Sequence, residues 1–444
     1  MMSIALDIVY LLGLVASSPM WLYRLIRHGR YRSDIGQRFG AVPIRYGLQP
    51  LIWVHAVSLG EINAARGLVA ELHSQLPDFR VAISTTTDTG MAAARKLFAP
   101  DHVVFRWPLD FSLVVARALD RLRPSMVVLM EGEAWPNFLA LCNRRDIPVV
   151  VVNGRMSPDK GYPRYRKLGP LAGRLFNRLT AIGVQDELYA KRFISLGVRS
   201  EKIQVTGMMK FDSIEVADTL AGQDALAAAL DLASHDRLIV AGGTGEGEER
   251  PLLEMFARLR RKHPTARLAV VPRKPERFDG VARLITSCGM PLIRRSQRPD
   301  GANRPAPSDA VILGDTMGEL RKFYALAAAI FVGRSLVPQG GSDMIEAAAL
   351  GKATAFGPHT FNFPQAEDLA RNGCVRVARV AELELQLDAW LADPAAAAEA
   401  GRRAQDFVRS QQGATRRNVE MICGVLGRVP AAVPGDIATD VIVQ

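Results

Sequence analysis

The sequence predicts an α/β protein of two doubly wound domains, each built on a parallel sheet, with a cleft between them. The first observation is a series of short, continuous apolar runs, which is typical of strands buried on both faces of a sheet. The second is that helical patterns alternate with these runs, as in repeated βα units. The third is the length of 444 residues, which exceeds what one hydrophobic core usually supports.

The first half of the chain contains the first group of apolar runs. A helical pattern over about residues 62–76 follows the first run. We predict parallel strands at residues 51–57, 81–84, 103–105, 126–130, 149–152 and 181–184. The pattern pauses near residues 207–212 and then restarts. Further strands are predicted at residues 238–241, 268–271, 310–313, 330–332 and 354–356.

The change of pattern along the chain suggests four parts. The predicted boundaries place an N-terminal anchor at 1–30, a first domain at 31–212, a second domain at 213–428 and a loose tail at 429–444. The chain from about residue 381 is helical and rich in alanine and arginine. Ligands of doubly wound domains bind at the carboxyl ends of the strands.

The composition narrows the class of partner. A net charge of +11 favours nucleic acid, an anionic membrane surface or a phosphorylated substrate. We expect no nucleic-acid partner, because no RNA-binding signature and no basic stripe interleaved with aromatic residues occurs. The four cysteines are far apart and follow no metal-binding spacing, so we expect a reducing compartment, no disulfide framework and no metal site.

The N-terminal segment carries an uncharged run at residues 8–23, preceded by Asp7. Basic residues follow it: Arg24, Arg27, His28, Arg30 and Arg32. The run contains Pro19 and is shorter than the ~20 residues that a membrane-spanning helix needs. We predict a helix that anchors in or on a membrane, with its basic flank on the cytoplasmic side. The alternative is a buried packing helix.

Acidic residues follow two predicted strands of the first domain. The loop after the first strand contains Ser58 and Gly60 and ends at Glu61, where a helix begins. A carboxylate there can act as a general base if burial raises its pKa. The alternative is a glutamate placed there because it favours the positive end of the helix dipole.

A second acidic loop follows the strand predicted at 126–130. It contains Glu131 and Glu133 beside Trp135, before a helix opened by proline. Arg155 follows the next strand. Since the carboxyl ends of parallel strands share one edge of a sheet, we expect these side chains to lie near Glu61 and to form a site.

In the second domain, the segment 340–349 predicts an anion site. Gly340 and Gly341 end a loop, and a helix of small residues begins after Ser342 and Asp343. Free backbone N–H groups and the dipole at such a point attract a phosphate. Glu346 lies in the first turn, where its carboxylate can reach ribose hydroxyls. The alternative is a capped surface helix.

Cations and glycines at two other strand ends extend this candidate site. Arg273 and Lys274 follow the strand at 268–271, and arginine can grip a phosphate with two hydrogen bonds. Gly314 and Met317 belong to a segment that caps the next helix. The glycine-rich turn at 242–248 is weak evidence for phosphate binding by itself.

Taken together, these segments make the chain resemble the Kdo (3-deoxy-D-manno-octulosonic acid) transferases, membrane-associated enzymes of lipopolysaccharide assembly with the GT-B fold. The resemblance covers the chain from about Arg24 to the last helices, in the same order throughout. The matching segments are 55–61, 131–137, 153–157, 207–212, 314–320, 346–349 and 357–363.

The resemblance implies a fold, a reaction and roles for residues. The family moves Kdo from CMP-Kdo to a hydroxyl of a lipid A precursor, with inversion and without a required cofactor or metal, at the cytoplasmic side of the inner membrane. Glu61 matches the family's general base, and Glu131 and Glu133 match its paired glutamates. Arg273 and Glu346 match residues that hold the CMP part.

The chain departs from the family pattern in the donor half. The common pattern has Gly-Gly-His-Asn at 340–343 and Thr-His-Glu-Gly-Glu at 244–248, where this chain has Ser342, Asp343 and Gly245; Lys274 also replaces a histidine. Asp343 would oppose an anionic donor unless Lys274 or Arg334 compensates. The alternatives are therefore a GT-B enzyme for another nucleotide sugar, or a non-catalytic homologue that binds lipid or a partner protein.

Overall fold

The computed structural model describes residues 2–28, 34–159, 161–299 and 305–427. The predictions for Arg30, Arg32 and the tail at 429–444 fall outside these residues. The chain divides into two compact units. The first comprises the described residues up to Ser213 and from Gln412, and the second runs from Ile214 to Gln411.

The first unit is a parallel sheet of seven strands with helices in the connections. Its strands are β1 (Leu51–His55), β2 (Arg80–Thr85), β3 (Val103–Arg106), β4 (Met126–Met130), β5 (Val149–Gly154), β6 (Ala181–Val184) and β7 (Ile203–Val205). Its helices are α1 (Met2–His28), α2 (Ile35–Arg38), α3 (Leu59–Gln75), α4 (Asp88–Phe98), α5 (Ser112–Leu122), α6 (Pro136–Arg144), α7 (Gly161–Arg166), α8 (Pro170–Phe176) and α9 (Glu187–Ser195).

The strand order of this sheet is β3-β2-β1-β4-β5-β6-β7. The order reverses between β1 and β4, which is where doubly wound folds bind ligands. All the strands predicted for this half are confirmed. The sequence missed β7, an edge strand whose residues are partly exposed, because such a strand carries no continuous apolar run.

The second unit is also a parallel sheet of seven strands. These are β8 (Arg237–Thr244), β9 (Ala266–Pro272), β10 (Leu292–Arg294), β11 (Val311–Leu313), β12 (Ala329–Val332), β13 (Ala353–Phe356) and β14 (Val375–Arg376). The helices are α10 (Gln223–Ala229), α11 (Glu249–Lys262), α12 (Phe278–Ser287), α13 (Leu320–Leu326), α14 (Ile345–Ala348), α15 (Ala366–Arg371), α16 (Val380–Ala392) and α17 (Pro394–Gln411). The order β10-β11-β9-β8-β12-β13-β14 reverses between β8 and β12, and the two missed strands, β10 and β14, lie at the edges.

Strand β1 shows why the apolar runs form buried strands. Its residues are all buried, and successive side chains of a strand point to opposite faces. Leu51 and Trp53 accordingly belong to one core cluster, whereas Ile52 and Val54 belong to the cluster on the other face. A strand covered on both faces needs apolar residues at every position, so the run is continuous.

The last described helix, α18 (Ala414–Val425), packs in the first unit, although the sequence-based boundary placed it in the second domain. It contacts α3, β5 and β6. The backbone N–H of Gly413 donates to Asp212 Oδ1 at 2.6 Å, and Thr206 Oγ1 bonds Asn418 Oδ1 at 3.1 Å. Contacts between residues some 200 positions apart leave no local pattern in the sequence.

Helix α1 continues through Pro19 and carries many exposed apolar side chains, among them Ile8, Leu12 and Val15. None of its described side chains is buried. Within the part of the chain that the structure describes, no helix is both long enough and apolar enough to span a membrane. The described part of α1 therefore presents an apolar surface.

Polar contacts fix α1 to the first unit. Asp7 Oδ1 accepts from Asn137 Nδ2 at 2.8 Å and from the backbone N–H of Ser112 at 2.9 Å. Tyr10 Oη donates to Asp110 Oδ2 at 3.1 Å. Asp110 also accepts from the backbone N–H of Asn137 at 3.1 Å, so one network holds both α1 and the start of α6.

Candidate active site

Glu61 lies at the carboxyl end of β1, beside the reversal of strand order, in the first turn of α3. Its carboxylate accepts hydrogen bonds from the backbone N–H of Val57 at 2.9 Å and of Ser58 at 3.2 Å. Ser58 Oγ lies 2.8 Å from Glu61 Oε1, and the pair forms a capping box. A carboxylate has about four lone-pair sites, so three donors leave one site for a further proton.

Burial raises the pKa of Glu61 above its ordinary value, and the hydrogen bonds from Val57 and Ser58 partly offset this rise. The side chain is 8% exposed. A raised pKa makes a carboxylate a better proton acceptor near neutral pH. The capping role and the role of a base are therefore compatible in one residue.

Gly60 is exposed, and an added Cβ would meet only Ser58 Oγ, at 3.9 Å.

Glu131 follows β4 in a left-handed backbone conformation, with φ 59°. Burial, and then the charge of Glu61, raise the pKa of Glu131 to about 7, while Arg155 lowers it. The Arg155 Nη1 and Glu131 Oε2 atoms are 3.8 Å apart. Glu133 reaches the surface, and its pKa is raised by desolvation and by Glu61. The structure thus brings Glu61, Glu131, Glu133 and Arg155 to one edge of the sheet, as predicted from the strand ends.

We expect Glu131→Gln to stabilise the first unit at about pH 8. The folded protein holds a proton on Glu131 up to about pH 7, whereas the unfolded chain releases it near the ordinary pKa of 4.5. Rising pH through this window therefore destabilises the folded state, and the variant escapes that loss. Urea unfolding at several pH values measures the effect. The control is Glu201→Gln, which removes an exposed glutamate paired with Arg199. A gain that persists unchanged at about pH 4.5 would refute this cause.

His55, the last residue of β1, is a residue whose role the sequence did not indicate. Its Nδ1 lies 2.9 Å from Ser84 Oγ, and its ring stacks on Trp107 with centroids 3.8 Å apart. Burial lowers the pKa of His55 to about 3. The imidazole is therefore neutral and enclosed, so Glu61 is the better placed proton acceptor at this strand end.

In the second unit, a cavity of 270 Å³ lies at the carboxyl ends of β8 and β9. Residues from three strand ends line it: Thr244, Gly245, Glu246, Arg273, Lys274, Arg277, Arg334 and Gln339. Arg273 and Lys274 are exposed, and neither has an ion-pair partner in the described residues. The cavity therefore offers cations to an anionic ligand, as predicted for Arg273 and Lys274.

Glu248 shapes this cavity without lining it. Its side chain is buried, and its carboxylate accepts four backbone hydrogen bonds of 2.6–2.9 Å, from Gly245, Arg334, Ser335 and Leu336. Burial raises the pKa of Glu248, and these bonds lower it. The carboxylate joins the loop after β8 to the turn after β12. The sequence showed only a glycine-rich turn here.

Arg277 has its charge neutralised by a buried partner. Its guanidinium bonds both oxygens of Glu249, at 2.5 and 3.0 Å. Thr244 Oγ1 donates to the same carboxylate at 2.9 Å. Arg277 therefore lines the cavity, but its charge is already paired with that of Glu249.

The loop at 340–343 packs closely against its neighbours. Gly340 has φ 86°, and a Cβ there would lie 2.0 Å from Asn362 Nδ2. Gly341 has φ 83°. Ser342 is buried and donates from Oγ to the carbonyl of Gly243 at 2.8 Å. Both glycines are thus required, and Ser342 serves to join two loops.

The helix after this loop is short. Helix α14 has four residues, Ile345–Ala348, with Glu346 in its first turn. One turn has a small dipole, so the expected electrostatic attraction for an anion is correspondingly weak. Asp343 Oδ1 accepts from the backbone N–H of Ile345 at 3.1 Å, which is a local contact two residues along the chain.

Tyr324 lies against β8 and near the charged residues of this loop. Its hydroxyl is buried without a hydrogen-bond partner in the described residues. A Cβ added at Gly242 in β8 would lie 2.3 Å from the Tyr324 hydroxyl. Burial raises the pKa of Tyr324, followed by the charges of Glu346 and Asp343, while Arg273 lowers it. These three charged residues therefore lie around the carboxyl end of β8.

Gly314 and Met317, also predicted for donor binding, lie outside the cavity lining, as do the predicted residues at 340–343 and Glu346. The backbone N–H of Gly314 donates to Val270 at 2.9 Å, and the side chain of Met317 is 67% exposed. Neither contributes to the cavity wall. Their assignment to donor binding stays a prediction.

Comparison with known proteins matches the chain to members of one protein family. A sequence model of the family described as 3-deoxy-D-manno-octulosonic-acid transferase matches residues 33–213. The chain is 34% identical to a protein of that name from Bordetella pertussis, over 94% of this chain and 99% of the relative. It is 31% identical to one from Haemophilus influenzae, over 91% of this chain and 94% of the relative.

Among solved structures, a glycosyltransferase from Rickettsia africae superimposes with a TM-score of 0.57. The alignment covers 86% of this chain and 100% of that structure, at 12% identity. Such low identity shows the fold alone. The likeness extends over both units, and the predicted fold class with two Rossmann-like sheets is confirmed.

Proposed function

The chain belongs to the Kdo transferase family and is a glycosyltransferase, and from this premise we propose that it moves Kdo from CMP-Kdo to a lipid A precursor in lipopolysaccharide synthesis. The observation that carries the proposal is the Glu61 carboxylate, which is buried at the point where the strand order reverses and keeps one acceptor site. The pKa of Glu61, raised by burial, suits it to remove a proton from an alcohol near neutral pH.

The proposed reaction is a single displacement. Glu61 takes the proton of an acceptor hydroxyl, and the oxygen forms a bond to the anomeric carbon of Kdo. The bond from that carbon to the phosphate oxygen breaks, and CMP leaves with the electron pair. One displacement inverts the configuration, so one base suffices. Glu131 and Arg155 support the acceptor side, together with Ser58, Gly60 and Glu133.

The donor half supplies cations for the departing phosphate. Arg273 and Lys274 line the 270 Å³ cavity. Fixed cations beside developing negative charge stabilise a transition state. We propose that these side chains take the place of a metal ion, and that no cofactor is needed.

A different nucleotide sugar is the second candidate donor. Asp343 favours it, because this carboxylate stands near the same strand end as Arg273 and Glu346 and opposes an anionic ligand. In that case the Asp343 carboxylate would bind a hydroxyl or amine of the donor sugar. If the donor is this other nucleotide sugar, Asp343→Asn should lower the rate of transfer. If the donor is CMP-Kdo, the same change should leave or improve its use.

A panel of donors tests the proposed function. Calorimetric titration of the purified protein with CMP, UDP and GDP reports nucleotide choice, and we expect CMP to bind most tightly. Turnover with CMP-Kdo and with UDP-sugars, each with lipid A precursor, then reports the donor. Preference for UDP would favour the second candidate. Absence of any nucleotide binding would indicate a non-catalytic homologue.

We also propose that α1 attaches the protein to the cytoplasmic side of the inner membrane by lying on the lipid surface. The support is the row of exposed apolar side chains on α1, including Leu12 and Val15, and the net charge of +11. An amphipathic helix with cationic surroundings binds anionic lipid in this way.

Replacing Leu12 and Val15 together by glutamate should release the protein from anionic vesicles in a co-sedimentation assay. Two charges on the apolar surface oppose burial in lipid. CMP binding should be unchanged, because both residues lie on α1. The control is Leu385→Glu, at a similarly exposed leucine of the second unit. Unchanged sedimentation of the double variant would assign attachment to another surface.

A further inference from the structure

The backbone of Arg334 is in a conformation that favours glycine. Its φ is 58°, in the left-handed region that costs free energy for residues with a Cβ. The conformation is held from both sides, since its N–H donates to Glu248 Oε2 at 2.6 Å and its carbonyl accepts from the N–H of Gly341 at 2.8 Å. Glycine would adopt this conformation without strain, so the feature that distinguishes Arg334 at this position is its charged side chain.

The side chain of Arg334 fills space above Gly245. A Cβ added to Gly245 would lie 2.2 Å from Gln339 Oε1 and 2.9 Å from Arg334 Cγ. Gly245 does not have a positive φ, so the glycine is required for room and not for its backbone conformation. The family pattern has histidine at this position, and here Arg334 and Gln339 occupy the space that its side chain would need.

The side chain of Arg334 lines the same cavity as the unpaired cations Arg273 and Lys274. Its Nη2 donates to the carbonyl of Gln339 at 2.9 Å, which orients the group. No carboxylate pairs with it in the described residues, whereas Arg277 is paired with Glu249. Arg273, Lys274 and Arg334 therefore give the cavity an excess of positive charge over Glu246, its acidic lining residue.

We propose that Arg334 is a ligand of the phosphate of the cytidine nucleotide, and that it replaces the contribution of the histidines absent from the donor loops of this chain. This inference rests on the proposed function. A phosphate takes charge-assisted hydrogen bonds from a guanidinium fork in a favourable planar geometry. Arg334 also supplies the positive charge that offsets Asp343.

Arg334→Gly tests this inference, because the affinity for CMP should fall without a loss of stability. Glycine relieves the left-handed backbone, so the melting temperature should equal or exceed that of the wild type. The affinity for CMP should fall at least about tenfold, since a charge-assisted bond to phosphate is lost. The affinity for cytidine, which has no phosphate, should stay the same. Calorimetry and thermal unfolding measure these quantities.

Arg123→Gly is the matched control. Arg123 is also an arginine with a left-handed backbone, φ 46°, but it ends α5 in the first unit. The same substitution there should leave CMP affinity unchanged.

Each outcome is informative. Equal CMP affinity in Arg334→Gly and wild type would overturn the inference and leave the proposed function standing. A loss confined to the KM for CMP-Kdo, with CMP affinity unchanged, would assign Arg334 to the sugar carboxylate and overturn the phosphate assignment. A wild type that does not bind CMP would overturn the proposed function itself.

Discussion

Glu61→Gln is expected to lower the rate of Kdo transfer by about 10²–10⁴-fold while CMP affinity stays near the wild-type value. An amide cannot take the proton of the acceptor hydroxyl. Glutamine is accepted at the third position of a capping box, so the bonds with Ser58 and the start of α3 should survive. Initial rates with CMP-Kdo and lipid A precursor, together with CMP calorimetry, measure both parts.

Glu187→Gln provides the comparison for this prediction. Glu187 lies in the first turn of α9, after β6 of the same sheet, and is exposed. We expect its rate to match the wild type. If Glu61→Gln retained more than a few tenths of the wild-type rate, Glu61 would be a helix cap only, and another group would have to remove the proton.

Glu346→Ala is expected to weaken the binding of both CMP and cytidine. Losing a charge-assisted hydrogen bond to a ribose hydroxyl costs on the order of 1.5–3 kcal/mol, which is about 10- to 150-fold in affinity. Both ligands contain the ribose, so both should be affected equally. Arg334→Gly, in contrast, should affect CMP alone, and calorimetry with the two ligands separates ribose from phosphate contacts.

Glu382→Ala is the control for Glu346→Ala. Glu382 lies in the first turn of α16 in the same unit and accepts a hydrogen bond from the backbone N–H of Ala378. Its loss should affect helix stability without changing nucleotide affinity. Equal affinities in Glu346→Ala and wild type would reduce Glu346 to a residue of the one-turn helix α14.

The sequence predicted the strands whose residues are buried on both faces, because burial on both faces leaves a continuous apolar run. It also found the edge strand β3, but missed the edge strands β7, β10 and β14, whose two or three residues include a polar or charged one and form no such run. Glu61, Glu131 and Arg155 could be grouped from the sequence alone, since each follows a parallel strand. Their pKa values depend on burial and mutual charge, and those could not be predicted from the sequence.

The donor half shows a second limit of sequence reasoning. The roles of Glu248 and Arg334 depend on hydrogen bonds to backbone N–H groups and on a left-handed turn, which bring two loops together. These features leave no local pattern in the sequence. The start of helix α14 could be predicted from the glycine pair, but its length of a single turn could not. The need for glycine at position 245 could not be predicted from the sequence, because it depends on where the side chains of Gln339 and Arg334 lie.

The most direct measurement is mass spectrometry of a lipid A precursor after incubation with the purified protein and CMP-Kdo. We expect the precursor to gain the mass of Kdo and CMP to be released in equal amount, with neither change in Glu61→Gln. If the folded protein left the precursor unmodified with CMP-Kdo, Kdo transfer would be contradicted as the function of this chain. This conclusion would hold whether or not a UDP-sugar served as a donor in the same assay.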